Sequence, residues 1–429
     1  MPIVLETPLN PWHRDHKAAL TEFGGWELPL WYETGAVAEH RSVIRAAGLF
    51  DTGHMDLFSV TGPGAFNLLQ LCFSRDLRAV PTGRCAYGVF LNDQGGVIDD
   101  AVVYAQAAND FLVVVNAGRG GLVLSHLEFW ASGAAPRLTA LSDRLGKMDL
   151  QGPASARIMA QVLDQAQAVL QGLAYFSFRG HADLPAAGHE AVRLKDGTPL
   201  LLSRTGFTGE FGFELIVRRQ DMVRVWEQLL EVGRPLGLTP CGLAARDSLR
   251  TGAMLPLSQQ DIGPWPFVRN PWTVALPLRS DGPGFTKRFV GDQALLSAEK
   301  ADNTEYTAAF AGFDPRKVGA PGGIVLDDEG RGVGQVLTCV SDMAIGRHEG
   351  RILSLATPHG PAGLRLKGLA CGFIKTHARP VPGDRVRLKD DRREIEVEIV
   401  TDIRPDRTAR RAMHAMLQKG EEEDHEGTE

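Results

Sequence analysis

The sequence predicts an α+β fold that ends in a small β-barrel, and three observations support this prediction. The chain has 429 residues, which is too long for one typical core and indicates two or three domains. Helical patterns and paired strand patterns are mixed in the first two thirds, without the regular alternation of a doubly wound α/β protein. The last third contains short apolar runs separated by Gly and Pro, as in GGIVLDDEG and REIEVEIV, which are typical of a small barrel.

The first predicted helix covers residues 35–47, with the sequence GAVAEHRSVIRAA. Helical spacing places Val37 and Ile44 on one side, which we expect to be buried, and Glu39 on the outward side. Gly48 follows as the expected C-cap, because glycine readily adopts the left-handed backbone conformation that often ends a helix. The chain then enters a strand-like run.

The next elements form a predicted antiparallel group. A strand at 56–60 is followed by a turn and by a short helix at 65–72. Strands at 85–91 and 97–104 are separated by NDQGG, whose Asp and Gly residues favour a hairpin. The run FLVVV at 111–115 would add a third strand to this hairpin.

A second strand pair and a helix are predicted further along the chain. Residues 199–203 and 211–217 flank the Gly-containing loop RTGFTGE, which indicates two paired strands. Residues 221–232 have the apolar spacing of an amphipathic helix.

A domain boundary is expected near residue 300. The segment 277–306 is rich in Gly, Pro and charged residues, which indicates a linker. Residues 1–285 form the first predicted region, residues 286–304 the linker and residues 305–410 the barrel. The tail at 411–429 ends in EEEDHEGTE, which has no hydrophobic residue. This acidic end is predicted to be disordered.

Composition and charge exclude several classes of function. The formal net charge is −6, so no overall positive field points to nucleic acid. No apolar stretch reaches the roughly 18 residues needed to span a membrane, and the N-terminus lacks the pattern of a secretory signal. The five cysteines are scattered without a CxxC pair. We therefore expect no disulfide framework, no metal site and a reducing, cytoplasmic location.

Acidic residues interrupt two apolar strand patterns. Asp99 and Asp100 lie in VIDDAVVY, and Glu214 lies in FGFELIV, after the RTGFTGE loop. Side chains on a strand alternate between its faces, so one carboxylate of the aspartate pair points to the core or a cleft and the other points away. A buried carboxylate needs a partner or a ligand, and two hydrogen bonds from an amidine-like group would suit Glu214. Exposure to solvent is the simpler explanation for each position taken alone.

Arginine and histidine positions are weaker candidates. Arg246 and Arg250 lie four residues apart in GLAARDSLR, on one face of a predicted helix, where a guanidinium suits a carboxylate or an aromatic ring. An ordinary solvated helix face is the commoner explanation. Asp51 and His54 in FDTGHM would allow a catalytic dyad, although a structural histidine is commoner. His13 in HRDH has no further ligands at metal-binding spacing.

The order of the motifs along the chain is far more specific than any single motif. The first half contains TPL at 7–9, FGGWELPLWY at 23–32, EHRSVIRAAGLFDTGHM at 39–55, LNDQGGVIDD at 91–100 and VVVNA at 113–117. The second half contains LQGPASA at 150–156, SRTGFTGEFGFEL at 203–215, GLAARDSLR at 242–250 and RFVGDQALL at 288–296. In this order they resemble the aminomethyltransferase (T protein) family of the glycine cleavage system, strongly before residue 300 and weakly after it.

This resemblance implies a cloverleaf of three domains, with two intertwined subdomains before the linker and the small barrel as the third domain. It implies a reaction in which tetrahydrofolate, the co-substrate, receives a one-carbon unit from the aminomethyl-dihydrolipoyl arm of H protein, with release of ammonia. Lipoylated H protein and the other glycine cleavage components would be the partners. By position in the motifs, Asp100 corresponds to the family's active-site aspartate, and the folate-binding positions correspond to Tyr87, Asn116, Glu214 and Arg246.

These residue types suit the implied chemistry. The edge of a pterin offers neighbouring N–H groups, from which a carboxylate such as Glu214 can accept two hydrogen bonds. The attacking folate nitrogen carries a proton that must leave, and a nearby carboxylate can take that proton or stabilise a cationic iminium. Strand alternation lets only one aspartate of the pair reach the folate, and the resemblance selects Asp100.

The chain departs from the family pattern around the expected site. Phe207 replaces the usual tyrosine of an RTGYTGE loop. The stretch at 256–276 matches its family counterpart poorly, with Thr273 and Ala275 at positions usually held by glutamate and glycine. About 15–20 extra residues near 346–364 interrupt the barrel. These changes leave the one-carbon donor more open than the folate.

Three functions are therefore compared. The first is the aminomethyltransferase of glycine cleavage, and the second is a tetrahydrofolate-dependent demethylase of a small methylated substrate, which the altered 256–276 stretch motivates. The third, a folate-binding protein of iron–sulfur assembly, is disfavoured because its characteristic loop contains cysteine, whereas the loop here is RTGFTGE. The family's C-terminal folate-contacting arginine corresponds to Arg410 or Arg411.

Overall fold

The structure is a computed structural model that describes residues 4–133, 136–184, 191–358 and 366–418. Ten α-helices lie in these ranges and are numbered along the chain: α1 (Asn10–Asp15), α2 (Ala36–Arg45), α3 (Ala65–Cys72), α4 (Gly120–Trp130), α5 (Ser155–Val162), α6 (Ala166–Leu170), α7 (Met222–Gly233), α8 (Leu243–Gly252), α9 (Asp292–Lys300) and α10 (Met413–Gln418). No helix in this part of the chain is both long and apolar enough to cross a bilayer.

The β-strands within the same ranges are also numbered along the chain. The first eight are β1 (Leu5–Glu6), β2 (Ala19–Phe23), β3 (Trp26–Trp31), β4 (Ala47–Asp51), β5 (Asp56–Thr61), β6 (Cys85–Leu91), β7 (Val97–Ala107) and β8 (Asp110–Val115). The next seven are β9 (Arg137–Ala140), β10 (Leu145–Gln151), β11 (Phe178–Arg179), β12 (Val192–Arg193), β13 (Pro199–Ser203), β14 (Gly212–Arg218) and β15 (Leu238–Cys241). The last eight are β16 (Tyr306–Gly312), β17 (Ile324–Leu326), β18 (Gly332–Asp342), β19 (Ile345–His348), β20 (Arg351–Ser354), β21 (Leu369–Thr376), β22 (Arg385–Lys389) and β23 (Glu394–Val400).

Two large sheets build the region before the barrel. One has the order β11–β13–β14–β10–β4–β15, with β12 also paired to β13, and its β4–β15 pair is parallel. The other has the order β6–β7–β8–β5–β9 and is antiparallel. The chain leaves the first sheet after β4, builds the five-stranded sheet, and returns through β10, which pairs with β4. The two sheets are therefore interleaved in the sequence.

The facing sides of the two sheets share an apolar layer. Tyr104 and Leu112 of the five-stranded sheet pack in one cluster with Leu201 and Ile216 of the seven-stranded sheet. Because side chains alternate along a strand, Asp100 lies on the same face of β7 as Tyr104. This alternation places the predicted catalytic carboxylate on the side of β7 that faces the seven-stranded sheet.

The C-terminal region closes into a six-stranded barrel with the order β16–β21–β18–β17–β22–β23, in which β23 pairs back to β16. In β23 the alternation of the EIEVEIV run is explained by the fold, since Ile395, Val397 and Ile399 are buried in the barrel core. The predicted α+β fold with a small C-terminal β-barrel is therefore confirmed.

The antiparallel elements around the NDQGG turn match their predictions closely. Helix α3 has the predicted bounds, and β6, β7 and β8 pair in the predicted order. The side chain of Asn92 explains the turn, because its Oδ1 accepts hydrogen bonds from the backbone N–H groups of Gln94 and Gly96. Strands β13 and β14 and helix α7 also follow the predicted pattern.

Helix α2 corrects one sequence prediction. The helix ends at Arg45, and Gly48 lies inside β4, where an added Cβ would come within 2.5 Å of the Val43 side chain. Val37 is 44% exposed, whereas Glu39, which was expected to face solvent, is fully buried. The assignment of sides was wrong because the Glu39 carboxylate accepts the backbone N–H groups of Tyr32 and Gly242, and helical periodicity does not reveal such polar contacts.

The predicted linker at 286–304 contains helix α9. Leu295 of this helix is buried and lies against Gly95, in the turn between β6 and β7. The C-terminus also returns to the first region, since Met416 of α10 packs in the apolar core that includes residues of α5 and α7. The division into a first region, a linker and a barrel at the predicted boundaries stays a proposal.

Two predicted features extend beyond the described residues. The extra residues near 346–364 begin with the β19–β20 hairpin, and residues 359–365 lie outside the described ranges. The acidic end of the tail, residues 419–429, also lies outside them.

Candidate active site

Three of the predicted site residues meet directly. Asp100 on β7 accepts a hydrogen bond at Oδ2 from the Tyr87 hydroxyl at 2.9 Å. Its Oδ1 accepts from the side-chain amide of Asn116 at 2.6 Å. Tyr87 lies on the neighbouring strand β6, and Asn116 directly follows β8, so the five-stranded sheet itself brings the three together. Asp100 is 9% exposed and is held on both oxygens.

Asp99 has a fuller set of hydrogen-bond donors than Asp100. Its carboxylate accepts from the backbone N–H of Asn116 at 2.9 Å, from the Asn116 amide at 2.9 Å and from the Ser258 hydroxyl at 2.7 Å. Asp99 is fully buried. The Asn116 amide thus bridges both carboxylates, because this residue lies beyond the last β7–β8 pair and its side chain reaches across the end of the strand.

The surroundings favour a protonated carboxyl in the aspartate pair. Burial and the neighbouring Asp99 charge raise the pKa of Asp100 to about 7. The hydrogen bonds from Tyr87 and Asn116 lower this pKa but do not outweigh them. Burial also raises the pKa of Asp99. The two carboxyls are adjacent and titrate together, so the pair changes protonation near neutral pH, as proton transfer requires.

The other two predicted residues, Glu214 and Arg246, lie at the ends of a buried chain of charges. Lys147 on β10 contacts Oε1 of Glu214 at 2.5 Å and also pairs with Asp149. Arg246 on α8 donates from Nη1 to Asp149 Oδ2 at 2.7 Å. Glu214 on β14 is the direct cross-strand neighbour of Asp149, which is why these charges meet. We call Glu214, Lys147, Asp149 and Arg246 the charge chain.

Glu214 has little free capacity to accept hydrogen bonds. Its Oε2 accepts from the Thr205 hydroxyl at 2.5 Å and from the Tyr104 hydroxyl at 3.2 Å. A carboxylate offers about four acceptor positions, and protein donors on Thr205, Tyr104 and Lys147 use three of them. One further donor fits at Glu214 in this structure, whereas the sequence prediction required two.

The guanidinium group of Arg246 has unused N–H donors. The hydrogen bond to Asp149 uses Nη1, and a guanidinium has five N–H donors. Its central carbon lies 5.1 Å from the centre of the Phe207 ring and 5.9 Å from that of Phe50, and its side chain is 12% exposed. The expectation of a solvated helix face was wrong, since Arg250 of the same helix is also buried and ion-paired.

Asp149, in the middle of the charge chain, remains ionised at neutral pH. Burial alone would raise the pKa of Asp149, but the adjacent cations Lys147 and Arg246 outweigh it and lower the pKa to about 2. With Glu214 at the other end, the chain combines two anions and two cations. It therefore adds no net charge to the interior.

Strand β7 connects the two parts of the site. Tyr104, whose hydroxyl reaches Glu214, lies four residues after Asp100 on the same face of the strand, which is about 13 Å of extended chain. No hydrogen bond joins Asp100 directly to Glu214 or Arg246 among the described residues. The structure therefore brings Tyr87 and Asn116 onto Asp100, and places Glu214 and Arg246 in a second group along the same layer.

Asp51 and His54 form no dyad in the described structure. Asp51 accepts instead from His13 Nε2 at 3.0 Å and from the Thr7 hydroxyl at 2.5 Å. The other ring nitrogen of His13 contacts the Tyr32 hydroxyl at 2.8 Å. All of these side chains are buried, and they tie α1 and β3 to the end of β4.

The stretch at 256–276 lies against the aspartate pair. Besides the Ser258 contact with Asp99, the side chain of Gln259 donates to the backbone carbonyl of Ile98 at 3.2 Å. Asp261 pairs with Arg250. The part of the chain that departs most from the family pattern therefore supports the back of the site.

Of the two candidate C-terminal arginines, Arg410 contacts a residue, Tyr175, that lies within electrostatic range of Glu214. Its guanidinium carbon is 5.5 Å from the centre of the Tyr175 ring. Burial raises the pKa of Tyr175, the Arg410 charge lowers it and the Glu214 charge raises it, so Tyr175 lies within range of both. For Arg411, the backbone carbonyl accepts a hydrogen bond from Arg204 at 3.2 Å.

Lys147 and Asp149 were not predicted from the sequence. The signal was present, because the run LGKMDLQ has two charges at alternate positions of an apolar strand, on one face. Their partners lie on β14 and α8, which that signal cannot identify. Among the described residues, no three His, Cys, Asp or Glu side chains are grouped to hold a metal ion.

Comparison with known proteins agrees with this architecture. The model of the GCVT N-terminal domain family matches residues 9–265. The aminomethyltransferase of Shouchella clausii is 32% identical over 360 residues, covering 82% of this chain and 90% of that protein. The aminomethyltransferase of Bacillus subtilis is 31% identical over 354 residues, covering 81% and 90%.

A solved structure shows the same fold. The crystal structure of glycine cleavage system aminomethyltransferase T from Bartonella henselae has a TM-score of 0.73 and 27% sequence identity, and the match covers 92% of this chain and 97% of that chain. The match therefore extends over the C-terminal barrel as well as the two interleaved sheets. With the family model matching more than half of its length, this chain belongs to the GCVT aminomethyltransferase family.

Proposed function

We propose that this chain is the aminomethyltransferase of glycine cleavage, which moves the one-carbon unit of an aminomethyl-dihydrolipoyl group to tetrahydrofolate and releases ammonia. The observation that carries the proposal is Asp100, a nearly buried carboxyl held by Tyr87 and Asn116, with a pKa near neutrality. Membership of a family whose relatives are named aminomethyltransferase supports the class of reaction.

In this proposal Asp100 takes the proton that leaves the attacking folate nitrogen. While ionised, it also stabilises a cationic iminium by its charge. Tyr87 and Asn116 each donate one hydrogen bond to Asp100, which orients the carboxylate and leaves acceptor positions for the reacting groups. Asp99 is less suited to this role, because it is fully buried and accepts three hydrogen bonds.

The pH dependence of the reaction tests the role of Asp100. We expect kcat/KM to rise with pH through an apparent pKa of about 7, because only the ionised carboxylate accepts a proton. Below that value the rate constant falls by about tenfold per pH unit. Initial rates between about pH 5.5 and 8.5 measure this limb. Tyr87→Phe removes a hydrogen bond that lowers the pKa of Asp100, so we expect the rise of kcat/KM to move to higher pH in this variant. An unchanged pH profile would count against Asp100 as the proton acceptor.

We propose that the pterin of tetrahydrofolate binds beside Glu214 and Arg246, with its reacting end toward Asp100. The remaining acceptor position of Glu214 suits one pterin N–H group. The spare N–H groups of Arg246 and the nearby rings of Phe50 and Phe207 suit a planar heteroaromatic group with polar edges. Tyr87 and Asn116 would contact the same ligand near Asp100, and Arg410 is the better candidate for the C-terminal arginine.

Replacement of Glu214 by glutamine tests this placement. Glu214→Gln keeps the shape of the side chain but removes the charged acceptor, so we expect the Kd for tetrahydrofolate to rise about tenfold. Isothermal titration calorimetry measures the Kd. Glu210→Gln is the matched control, since Glu210 is a buried glutamate of the loop that precedes β14 and its cation is Arg404. Equal affinities of Glu214→Gln and wild type would argue against the proposed contact.

Lipoylated H protein is the proposed donor and partner. The decisive assay combines aminomethylated H protein with tetrahydrofolate and measures 5,10-methylenetetrahydrofolate and ammonia, which we expect to appear in equal amounts. The demethylase alternative is favoured by the contact of the divergent Ser258 segment with Asp99. A methylated small substrate that yields methyltetrahydrofolate, with no reaction of H protein, would establish that alternative. We also propose a reducing, cytoplasmic setting, which the five free cysteines support.

A further inference from the structure

His54 lies in the turn between β4 and β5, beside the charge chain. Two residues earlier, Thr52 donates from Oγ1 to Asp149 at 2.9 Å and contacts Nζ of Lys147 at 3.3 Å. This turn therefore passes directly over the middle of the charge chain. On its other side, the His54 ring meets the ring of Phe23 edge-on, with centroids 6.0 Å apart.

The hairpin between β2 and β3 connects His54 with the aspartate pair. Its turn residue Gly24 lies so close to Ala117 that an added Cβ would be 3.1 Å from the Ala117 Cβ. Ala117 directly follows Asn116, whose amide holds Asp100. His54 thus lies beside the charge chain, and the β2–β3 hairpin that its ring contacts reaches the residue next to Asn116.

The imidazole of His54 makes no hydrogen bond in the part of the chain that the structure describes. His54 is 5% exposed. Its Nδ1 is enclosed and has no hydrogen-bond partner among the described residues. Its Nε2 also makes no hydrogen bond to these residues. Burial lowers the pKa of His54 to about 4. The positive charges of Arg246 and Lys147 also lower this pKa, and the negative charge of Asp51 raises it. The ring is therefore neutral at physiological pH, with one N–H group and one bare nitrogen.

The unequal surroundings of the two nitrogens select a tautomer. Enclosed N–H groups without an acceptor are rarer in proteins than enclosed acceptors without a donor. The proton therefore belongs on Nε2, the nitrogen that is not fully enclosed. A nearly buried side chain that offers an unused N–H donor beside the charge chain needs an explanation, and a hydrogen-bond acceptor on a ligand supplies one.

We propose that His54 is a ligand-binding residue, whose Nε2–H donates a hydrogen bond to a carbonyl or ring nitrogen on the pterin of bound tetrahydrofolate. This inference rests on the proposed function, because it names the same co-substrate. His54 positions the pterin between the charge chain and Asp100. It does not carry the transferred proton, since burial and the two nearby cations Arg246 and Lys147 disfavour a third positive charge there.

Binding measurements on two variants test the donor. His54→Phe keeps a ring but has no N–H group, so we expect the Kd for tetrahydrofolate to rise about tenfold. His54→Gln places an amide N–H near the position of Nε2, and we expect it to restore most of that affinity. A merely structural histidine would not distinguish these two variants in this order.

His126 provides a matched control. It also has an enclosed ring nitrogen without a partner among the described residues, and burial also lowers its pKa to about 4. It lies on α4, with its ring centroid 6.4 Å from that of Phe90. Phe90 is the cross-strand neighbour of Asp99, so His126 lies on the face of the five-stranded sheet opposite to Asp100. We expect His126→Phe to bind tetrahydrofolate with the wild-type Kd.

Nitrogen NMR of the histidine rings gives a readout that does not depend on a variant. With the full-length, histidine-labelled protein, addition of tetrahydrofolate should shift the Nε2 signal of His54 and leave the His126 signals unchanged. Unchanged His54 signals, together with a Kd for His54→Gln and His54→Phe within about twofold of wild type, overturn the inference. If the wild-type protein itself binds no tetrahydrofolate, the proposed function fails; if it binds and His54 is silent, the inference about His54 alone fails.

Discussion

Asp100→Asn is expected to lower kcat by a factor of about 10²–10⁴ while the protein stays folded. Asparagine keeps the size of the side chain and a carbonyl that accepts from Tyr87 or Asn116, but it cannot take a proton. The measurement is turnover of aminomethylated H protein and tetrahydrofolate, with the Kd for tetrahydrofolate determined separately. A variant that keeps nearly full activity would remove Asp100 from the mechanism.

The raised pKa of Asp100 also predicts the effect of this substitution on stability. A carboxyl whose pKa is raised in the folded state binds its proton more tightly there than in the unfolded chain. Its ionisation therefore costs stability as the pH rises from about 4, the unfolded value, to about 7. Asp100→Asn removes this cost, so the free energy of unfolding at neutral pH should be unchanged or higher.

Asp99→Asn is the control for the choice between the two aspartates. The added amide N–H group would face the N–H of Asn116 or the Ser258 hydroxyl, which now donate to Asp99. We expect a loss of about 1–3 kcal/mol in the free energy of unfolding and less than about a tenfold fall in kcat. A stable Asp99→Asn variant without activity would show that Asp99 carries the chemistry.

Lys147→Met is expected to lower the free energy of unfolding by about 3–5 kcal/mol. Methionine fills a similar volume, but the substitution removes the only cation that contacts Glu214 in the described structure and one of the two that contact Asp149. Both carboxylates lie in a nearly dry interior, where an uncompensated charge is costly. Denaturant unfolding of the full chain measures the loss.

Arg224→Met is the control for Lys147→Met. Arg224 also bridges two carboxylates, those of Asp196 and Asp221, but its side chain is half exposed. Water screens such a surface pair, and its loss should cost well under about 1 kcal/mol. Equal losses for the two variants would show that the charge chain does not stabilise the protein more than a surface ion pair does.

Sequence patterns predicted best the elements whose signals are local. Helix α3 and the β6–β7 hairpin follow from short-range apolar spacing and from a turn that the Asn92 side chain stabilises. The same reasoning was wrong for Glu39, because helical periodicity assumes one buried side against apolar residues. Glu39 is buried for a polar reason, since it accepts the backbone N–H groups of Tyr32 and Gly242, the second of which is 203 residues away.

The sequence by itself determined the α+β class, the C-terminal barrel and, through the order of its motifs, the candidate residues of the site. Only the tertiary structure decided which side chains meet: Ser258 with Asp99, His13 with Asp51, and Lys147 with Glu214. The physical reason is that a charge in an apolar strand shows the need for a partner but not its identity. That identity depends on which strands pair, and the β10 neighbours β4 and β14 come from segments about a hundred and about sixty residues away.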